Sequence, residues 1–312
     1  MKLKKKRETL KSGGCLFLMN KIALALGTFD GLHRGHLNVL KTTKEFAFDG
    51  LVPSVLLFDC HPQVAVKGYA PPMLITKEDK EESIKRMGLL PVPISFEEIR
   101  NLSPEEFVKD ILRDRLNVGA VISGDNFHFG KNGQGNSEIL AKLCEKHNII
   151  YKKAENVSYD GLLISSTRIR SALENGNIHE ANEMLGRKFS YDFLVVEGNK
   201  IGKIYFGFPT INQHFPVDFI SLKHGVYASQ STVDGIIYPS VTNFGCHPTI
   251  GGDKVLSETC ILGFDGDLYN QRIKVELLSF IRGEKKFDSK DELKEQIDKD
   301  SKLAVEIFNS KK

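Results

Sequence analysis

Two histidines stand three residues apart within the glycine-bearing string GTFDGLHRGH, which covers residues 27–36. Residues at this spacing share one side of a helix, so His33 and His36 can face the same way where a helix begins. Two imidazoles at a helix N-terminus can donate hydrogen bonds to a phosphate whose charge grows in a transition state. Gly35 leaves the backbone open to phosphate oxygens, and the string therefore predicts a phosphate site.

A second polar segment, ISSTRIR at residues 164–170, offers hydroxyls followed by cations. Ser165, Ser166 and Thr167 are residue types that cap a helix N-terminus. Arg168 and Arg170 place positive charge beside that terminus, which suits a triphosphate. Helix capping with solvent-exposed arginines is the alternative, and the histidine string is what favours phosphate binding over it.

A third candidate site lies in the second half of the chain. Thr210 and Asn212 alternate, so in an extended segment they point to the same side. A hydroxyl and an amide oxygen are hard ligands of the kind that Mg²⁺ takes alongside phosphates and water. An edge-strand turn at Pro209 is the alternative. Glu258 precedes another apolar run and is either a functional carboxylate or a solvated strand end.

Strands and helices alternate along the first half of the chain. Apolar runs predict strands, and amphipathic stretches predict helices. The strands are predicted at residues 21–27, 51–59, 118–123 and 149–157, and the helices at 36–48, 77–87, 103–116 and 137–147. This alternation predicts an α/β fold with a doubly wound parallel sheet, in which the histidine string follows the first strand at the carboxyl edge where ligands bind.

The pattern changes near residue 187. Short alternating runs separated by Gly, Pro, Asn and Asp predict a small antiparallel β-barrel, and an amphipathic helix is predicted at 289–308. The runs cover residues 193–196, 226–231, 235–239, 259–263 and 273–280. We therefore expect two domains, at residues 21–186 and 187–312.

Composition limits the class of protein. A chain of 312 residues exceeds what one core usually organises, which supports two domains. A net charge of +3 is too small to indicate a nucleic-acid partner. The five cysteines are widely spaced without a CxxC pair, so neither a disulfide framework nor a structural zinc site is expected, and a cytoplasmic location fits. Residues 1–20 join a basic run to an apolar stretch too short for a secretory or membrane segment, and we expect a disordered extension with Met19 as the working start.

The first half resembles the HxGH nucleotidyltransferases, and specifically the FAD synthetase module of bacterial bifunctional riboflavin kinase/FAD synthetases. Three segments besides the histidine string carry the resemblance. FDCHP at 58–62 is similar to the family's FxPHP, GDNFHFG at 124–130 to its flavin-side GxDFxFG loop, and ISSTRIR to its ISSTxIR motif. The resemblance covers residues 21–187 and implies the family's Rossmann-like fold.

The resemblance also implies roles for individual residues. It implies an ATP site with His33, His36 and Arg170 as catalytic residues. The further ATP-binding residues implied are Gly27, Phe29, Gly35, Ser166, Thr167 and Arg168, and the flavin-binding residues implied are His61, Asp125, Asn126, Phe127 and Phe129.

The second half resembles riboflavin kinases over residues 187–308. PTIN at 209–212 is similar to the family's PTAN motif, and NFGCHPT at 243–249 to its NIGxxPT segment. Two later segments, at 264–269 and 281–289, are similar to its DLYG and LRxExKFxS segments. The resemblance implies Thr210 and Asn212 as metal ligands, Gly202 and Lys203 as phosphate-binding residues, and Glu258 as the catalytic base.

The chain departs from the family patterns at several positions. The substitutions are Cys60 for proline, Asn126 for a common aspartate, Lys203 for arginine, Ile211 for alanine, Cys260 for a common histidine and Asn270 for glycine. The spacing between Gly202 and Gly207 is also one residue longer than usual. The substitutions at Lys203, Cys260 and Asn270 and the longer spacing bear on kinase efficiency, and they leave Thr210, Asn212 and Glu258 intact.

Together the resemblances imply phosphorylation of riboflavin to FMN and adenylylation of FMN to FAD. Both steps use ATP with Mg²⁺, and no tightly bound prosthetic group is expected. The expected partners are riboflavin, FMN and ATP, with neither nucleic acid nor membrane, and the oligomeric state is left open. One alternative is an adenylyltransferase for another phosphorylated substrate with a non-catalytic barrel, which the kinase segments disfavour. The other is a flavin-binding regulator, which His33, His36 and Glu258 disfavour.

Overall fold

A computed structural model describes residues 20–197, 210–249 and 252–311. The expected extension at residues 1–20 lies outside these ranges except for Asn20, and so do the predicted phosphate-binding residues Gly202 and Lys203. Within the described ranges, no helix combines the length and the apolar character that crossing a bilayer requires.

The described chain forms two compact units. The first contains the residues through Pro71 together with Thr76–Ile164, and the second contains Pro72–Ile75 and the residues from Ser165 onward. The short segment Pro72–Ile75 therefore joins the second unit before the chain returns to the first. The predicted domain boundary near residue 187 stays a prediction.

A five-stranded parallel sheet forms the centre of the first unit. Its strands are Ile22–Leu26 (β1), Val52–Phe58 (β2), Leu90–Ile94 (β3), Val118–Ser123 (β4) and Ile150–Lys153 (β5). Their order is β3-β2-β1-β4-β5, and every neighbouring pair is parallel. Both β1 and β4 are buried along their whole length, as their apolar sequences require inside a parallel sheet. The predicted α/β fold class is confirmed.

Six α-helices and a small hairpin complete the first unit. The helices are Arg34–Glu45 (α1), Pro62–Lys67 (α2), Lys77–Arg86 (α3), Phe96–Ile99 (α4), Pro104–Glu106 (α5) and Ser137–Lys146 (α6), and the hairpin strands are Ser158–Tyr159 (β6) and Leu162–Leu163 (β7). Helix α5 starts with a Ser103–Glu106 capping box and continues as a π-helix over Phe107–Arg115. Buried side chains of this π-helix and of α6 share one core with β1 and β4.

The order of the sheet marks where a ligand fits. Chain order runs outward in opposite directions from the adjacent strands β1 and β4, so a crevice opens at their carboxyl ends. The histidine string follows β1, and the loop at residues 124–130 follows β4. The topology therefore places two of the predicted segments at one edge of one sheet.

Strand β3 was not predicted. Its sequence, LPVPI, contains Pro91 and Pro93, which cannot donate to a strand ladder and argue against a strand. The structure places β3 at the edge of the sheet, where it pairs only with β2. An edge position tolerates these prolines and explains the missed strand.

A closed six-stranded barrel dominates the second unit and confirms the predicted antiparallel barrel. Its strands are Ser190–Val196 (β8), Thr210–His214 (β9), Gly225–Val233 (β10), Ile236–Thr249 (β11), Gly252–Ile261 (β12) and Arg272–Arg282 (β13). They close in the order β10-β11-β12-β9-β8-β13. Asp234 and Gly235 both have positive φ angles, 49° and 79°, and form the two-residue turn between β10 and β11.

Among the residues that the structure describes, three helices and the early segment Pro72–Ile75 accompany the barrel. The helices are Ser166–Glu174 (α7), Ile178–Leu185 (α8) and Lys290–Ser310 (α9). Helix α9 packs on β10 and β11, and Arg282 of β13 donates to the buried carboxylate of Asp300 at 2.8 Å. Met73 donates its N–H to the Asp218 carbonyl at 2.7 Å and accepts from the Ile220 N–H at 2.9 Å.

Candidate active sites

The histidine string forms a tight loop between β1 and α1. His33 is the N-cap of α1, and its Nδ1 accepts a hydrogen bond from the His36 backbone N–H at 3.3 Å. Accepting at Nδ1 leaves the proton of a neutral His33 on Nε2. The two imidazole rings are stacked with their centroids 3.6 Å apart.

His36 lies in an environment that favours its neutral form. Burial is the main cause that lowers its pKa well below 6.5, and the nearby His33 and Lys80 lower it further. Its Nδ1 is buried and has no hydrogen-bond partner among the described residues. A neutral imidazole can still donate one hydrogen bond to a phosphate oxygen.

The backbone of the loop is strained at two positions. Phe29 and Leu32 adopt left-handed φ angles of 52° and 44°, which non-glycine residues rarely do. The buried Phe29 ring meets His36 edge-on at 5.3 Å. A Cβ at Gly27 would lie 3.1 Å from the Phe29 ring, and one at Gly35 would lie 3.2 Å from the His33 ring. Both glycines therefore make room for side chains of the same loop, a role that the sequence did not reveal.

Lys80 of α3 approaches this loop from outside the string. Its Nζ donates to the Thr28 carbonyl at 3.3 Å. Burial lowers the pKa of Lys80, and the nearby Asp30 carboxylate opposes that shift. The sequence alone does not reveal this residue, because nothing in the highly charged sequence of α3 distinguishes Lys80 from its solvent-facing neighbours.

The predicted flavin-side loop follows β4. Asp125 and Asn126 are exposed there, and Asp125 forms an ion pair with Lys153 at 3.0 Å. Phe127 is half-buried and stacks on Phe129 at 5.8 Å between ring centroids. Phe129 itself packs in the core of the first unit. The loop thus presents two polar residues and one aromatic ring, and Phe129 packs against that ring from the core.

His61, the fifth residue of the predicted flavin set, lies after β2. It is the N-cap of α2 and accepts the Gln63 N–H at its Nδ1 at 3.2 Å. Asp59 fixes this turn, because one of its oxygens accepts from the N–H groups of Cys60 at 2.9 Å and Phe96 at 3.1 Å. These hydrogen bonds lower the pKa of Asp59, and the bond from Phe96 has the largest effect.

The ISSTRIR residues from Ser165 onward belong to the second compact unit. Ser166 opens α7, and Thr167 is exposed in its first turn. Arg168 pairs with Glu180 at 3.1 Å. The buried Arg170 donates its Nε to the Pro72 carbonyl at 2.6 Å. The alternative of solvent-exposed arginines is thus wrong for Arg170, while the phosphate-binding roles of all four residues stay predictions.

The third candidate site is built by strand register in the barrel. Glu258 of β12 lies directly opposite Asn212 of β9 and Asn243 of β11. Residues paired this way share a face of the sheet with Cβ atoms about 5 Å apart. Thr210, two residues before Asn212, shares that face and is partly accessible. A hydroxyl, an amide and a carboxylate therefore converge on one face of the barrel.

Hydroxyl groups on the opposite face hold β12 in place. Ser257 and Thr259, which flank Glu258, are fully buried. The Thr259 and Ser229 hydroxyls each lie 2.8 Å from the hydroxyl of Thr242. Because β12 is tied to its neighbours inside the barrel, the Glu258 backbone is fixed on the outer face.

A small pocket opens beside Thr210. Its aromatic lining residues are Phe264 and Tyr269. The remaining lining residues are Val195, Ile211, Ile261, Gly266, Asp267 and Leu268. The predicted metal ligand Thr210 thus lies at the edge of a concave, partly apolar surface.

Comparison with known proteins matches a different family model to each half of the chain. A family model described as FAD synthetase matches residues 18–168, and one described as riboflavin kinase matches residues 185–308. The chain is 34% identical over 299 residues to the bifunctional riboflavin kinase/FMN adenylyltransferase of Bacillus subtilis, with 93% of each chain covered. It is 34% identical to the Haemophilus influenzae protein of the same name, covering 92% of this chain and 94% of that one. The Escherichia coli K12 protein of that name is 32% identical, with 91% and 92% covered.

The chain belongs to the bifunctional riboflavin kinase/FMN adenylyltransferase family. Its fold also matches a solved structure titled macrolide-efflux protein from Streptococcus pneumoniae, with a TM-score of 0.82 and 27% identity. That match covers 92% of this chain and 94% of the other.

The structure brings some of the predicted residues of this family together. Gly27, Phe29, His33, Gly35 and His36 share one loop. Thr210, Asn212 and Glu258 share one barrel face. The individual roles of these residues stay predictions.

Proposed function

We propose that the barrel unit phosphorylates riboflavin and that the loop after β1 serves the transfer of AMP from ATP to FMN. The observation that carries this proposal is the cross-strand pairing of Asn212 with Glu258, with Thr210 on the same face. It supplies a base and two oxygen ligands in the half of the chain that matches riboflavin kinase. The histidine loop supplies phosphate donors in the half that matches FAD synthetase.

In the kinase step, Glu258 accepts the proton of the ribityl 5′-hydroxyl. The hydroxyl oxygen then attacks the γ-phosphorus of ATP, a P–O bond forms, and the bond to the bridging oxygen breaks to release ADP. Positioning and charge neutralisation dominate such a transfer. Fixing β12 from inside the barrel serves this purpose, because it holds the carboxylate on the substrate-facing side.

The donor set fits a hard divalent cation. Thr210 and Asn212 offer a hydroxyl and an amide oxygen on one face, which suits Mg²⁺ with phosphate and water as its other ligands. Among the described residues, no three His, Cys, Asp or Glu side chains are grouped to hold a metal, so a cation there depends on such mixed ligands. When bound, Mg²⁺ neutralises phosphate charge.

In the adenylyl-transfer step, a phosphate oxygen of FMN attacks the α-phosphorus of ATP, and pyrophosphate leaves. The nucleophile is already an anion, so the step needs no general base. His33 donates through Nε2, since its Nδ1 already accepts the His36 N–H. His36 donates as a neutral imidazole. Both donors are held by the loop before substrate binds, which is the arrangement that stabilises developing charge most effectively.

One assay tests both steps. The full chain is incubated with riboflavin and MgATP, and riboflavin, FMN and FAD are separated over time. We expect FMN to appear first and FAD to follow, with both lost on chelation and restored by added Mg²⁺. FMN without FAD would contradict the role of the histidine loop, and no conversion of riboflavin would contradict the kinase assignment.

A further inference from the structure

Lys80 lies outside the predicted motifs but contacts the histidine loop. Helix α3 is fixed at its start by Thr76, whose side chain accepts the Asp79 N–H at 3.1 Å and donates to the Asp79 carboxylate at 2.7 Å. Lys80 follows in the first turn and extends to the Thr28 carbonyl. A well-capped helix therefore presents this ammonium to the loop.

The Lys80 ammonium has more donors than its surroundings use. An ammonium carries three N–H groups. Within the described residues the Lys80 ammonium makes one hydrogen bond, to the Thr28 carbonyl at 3.3 Å. Burial disfavours its charge, while Asp30, itself only 7% exposed, favours it. A partly buried cation with unused donors is stabilised when an anion binds next to it.

The other lysines of α3 differ from Lys80. Lys77 is exposed, and Lys85 pairs with Glu81 at 2.7 Å on a side where both side chains are well exposed. Lys80 alone among these three contacts the histidine loop. Its charge also reaches His36, whose pKa it lowers. The cation and both imidazoles therefore act on one small volume.

We propose that Lys80 is a further substrate-binding residue of the adenylyl-transfer site, where its ammonium binds the phosphate chain of ATP and the pyrophosphate that leaves. This inference rests on the proposed function of the histidine loop. In the step, the bond between the α-phosphorus and the bridging oxygen breaks, and its electron pair goes to pyrophosphate. Lys80 transfers no proton and neutralises that charge. A neutral imidazole such as that of His36 cannot supply this neutralisation.

The test uses Lys80→Gln, Lys80→Arg and the control Lys85→Gln in the full chain. Glutamine keeps an N–H donor for Thr28 but removes the charge. We expect Lys80→Gln to lower kcat/KM for ATP in FAD formation by about 10²-fold. It should also raise the KM for pyrophosphate at least tenfold in the reverse reaction and leave the KM for FMN unchanged. Lys80→Arg should recover most of the loss, and Lys85→Gln should match the parent.

Two results would overturn the proposal. Near-parent activity of Lys80→Gln would show that support of the Thr28 carbonyl is the whole role of Lys80. Equal losses in Lys80→Gln and Lys80→Arg, with a lowered melting temperature, would show a structural role. Riboflavin phosphorylation in the same samples reports that the chain is folded.

If the parent makes no FAD, the function proposed for the loop fails. Calorimetry with inorganic pyrophosphate then tests Lys80 alone, and equal affinity of parent and Lys80→Gln overturns the proposal.

Discussion

The histidine loop and the barrel face are candidate sites that are built in different ways. The loop after β1 concentrates its groups within ten consecutive residues. Its backbone is strained at Phe29 and Leu32, and its side chains pack closely on Gly27 and Gly35. The barrel face joins residues far apart in sequence, Asn212 and Glu258, through strand register. A local site such as the loop can be recognised in a short stretch of sequence. A register site such as the barrel face can be recognised only when the pairing of the strands is known. The two should also respond differently to substitution.

The largest effect is expected at Glu258. Glu258→Gln keeps the shape of the side chain and removes its basicity, and loss of a general base typically costs about 10²–10⁴ in rate. Riboflavin phosphorylation should fall by that factor, with little change in the affinity for riboflavin or ATP. Conversion of supplied FMN to FAD should be unaltered. Phosphorylation within a few-fold of the parent would exclude Glu258 as the base and turn attention to Asp265, Asp267 and Glu284.

A somewhat smaller effect is expected at His36. His36→Ala removes one positioned donor, which typically costs about 10²–10³ in rate. FAD formation from FMN and ATP should fall accordingly, while FMN formation from riboflavin should continue. Kinetics of both reactions on one preparation make the comparison internal. Near-normal FAD output would refute the assignment of the loop, and loss of both activities would mean that the chain is misfolded.

The local site should also carry a pH signature. The pKa of His36 is lowered in the folded chain, so the unfolded chain binds a proton near pH 6.5 that the folded chain does not. The free energy of unfolding should therefore fall as the pH drops below about 6.5, by at most about 1.4 kcal/mol per pH unit from this group. Urea titrations between pH 7.5 and 5.5 measure the slope. His36→Asn should flatten it, and an unchanged slope would assign the effect to other groups.

The smallest effect concerns where the barrel unit begins. A fragment starting at Gly186 should fold and phosphorylate riboflavin without the first half. It lacks Asn182 of α8, however, whose side chain donates to the Leu277 carbonyl at 3.0 Å and accepts the Phe189 N–H at 2.6 Å. A fragment starting at Ser165 should therefore melt several degrees higher. Equal melting temperatures would place α8 outside the folding unit, and an inert Gly186 fragment would move the boundary.

The sequence predicted more of the local site than of the register site. The string at residues 27–36, its strand and its helix were all predictable, because strand, loop and cap lie within one short window. Strand β9 was not among the predicted barrel runs, although Thr210 and Asn212 were read as extended, because it has only five residues and its pairing partners are distant. Lys80 was missed for the same reason, since its contact with Thr28 spans 52 residues. Contacts of that separation depend on tertiary packing, which periodicity does not report.

The segment Pro72–Ile75 has a consequence for the order in which the chain can assemble on the ribosome. Met73 is hydrogen-bonded to Asp218 and Ile220, residues that are synthesised long after it. At about 5–20 residues per second, the interval between them lasts roughly 7 to 30 seconds. Throughout that interval the two hydrogen bonds of Met73 with Asp218 and Ile220 cannot form, although Arg170, which binds the Pro72 carbonyl, is synthesised earlier. The contacts of this segment are therefore completed in stages, and the bonds of Met73 form only after residues 218–220 have emerged.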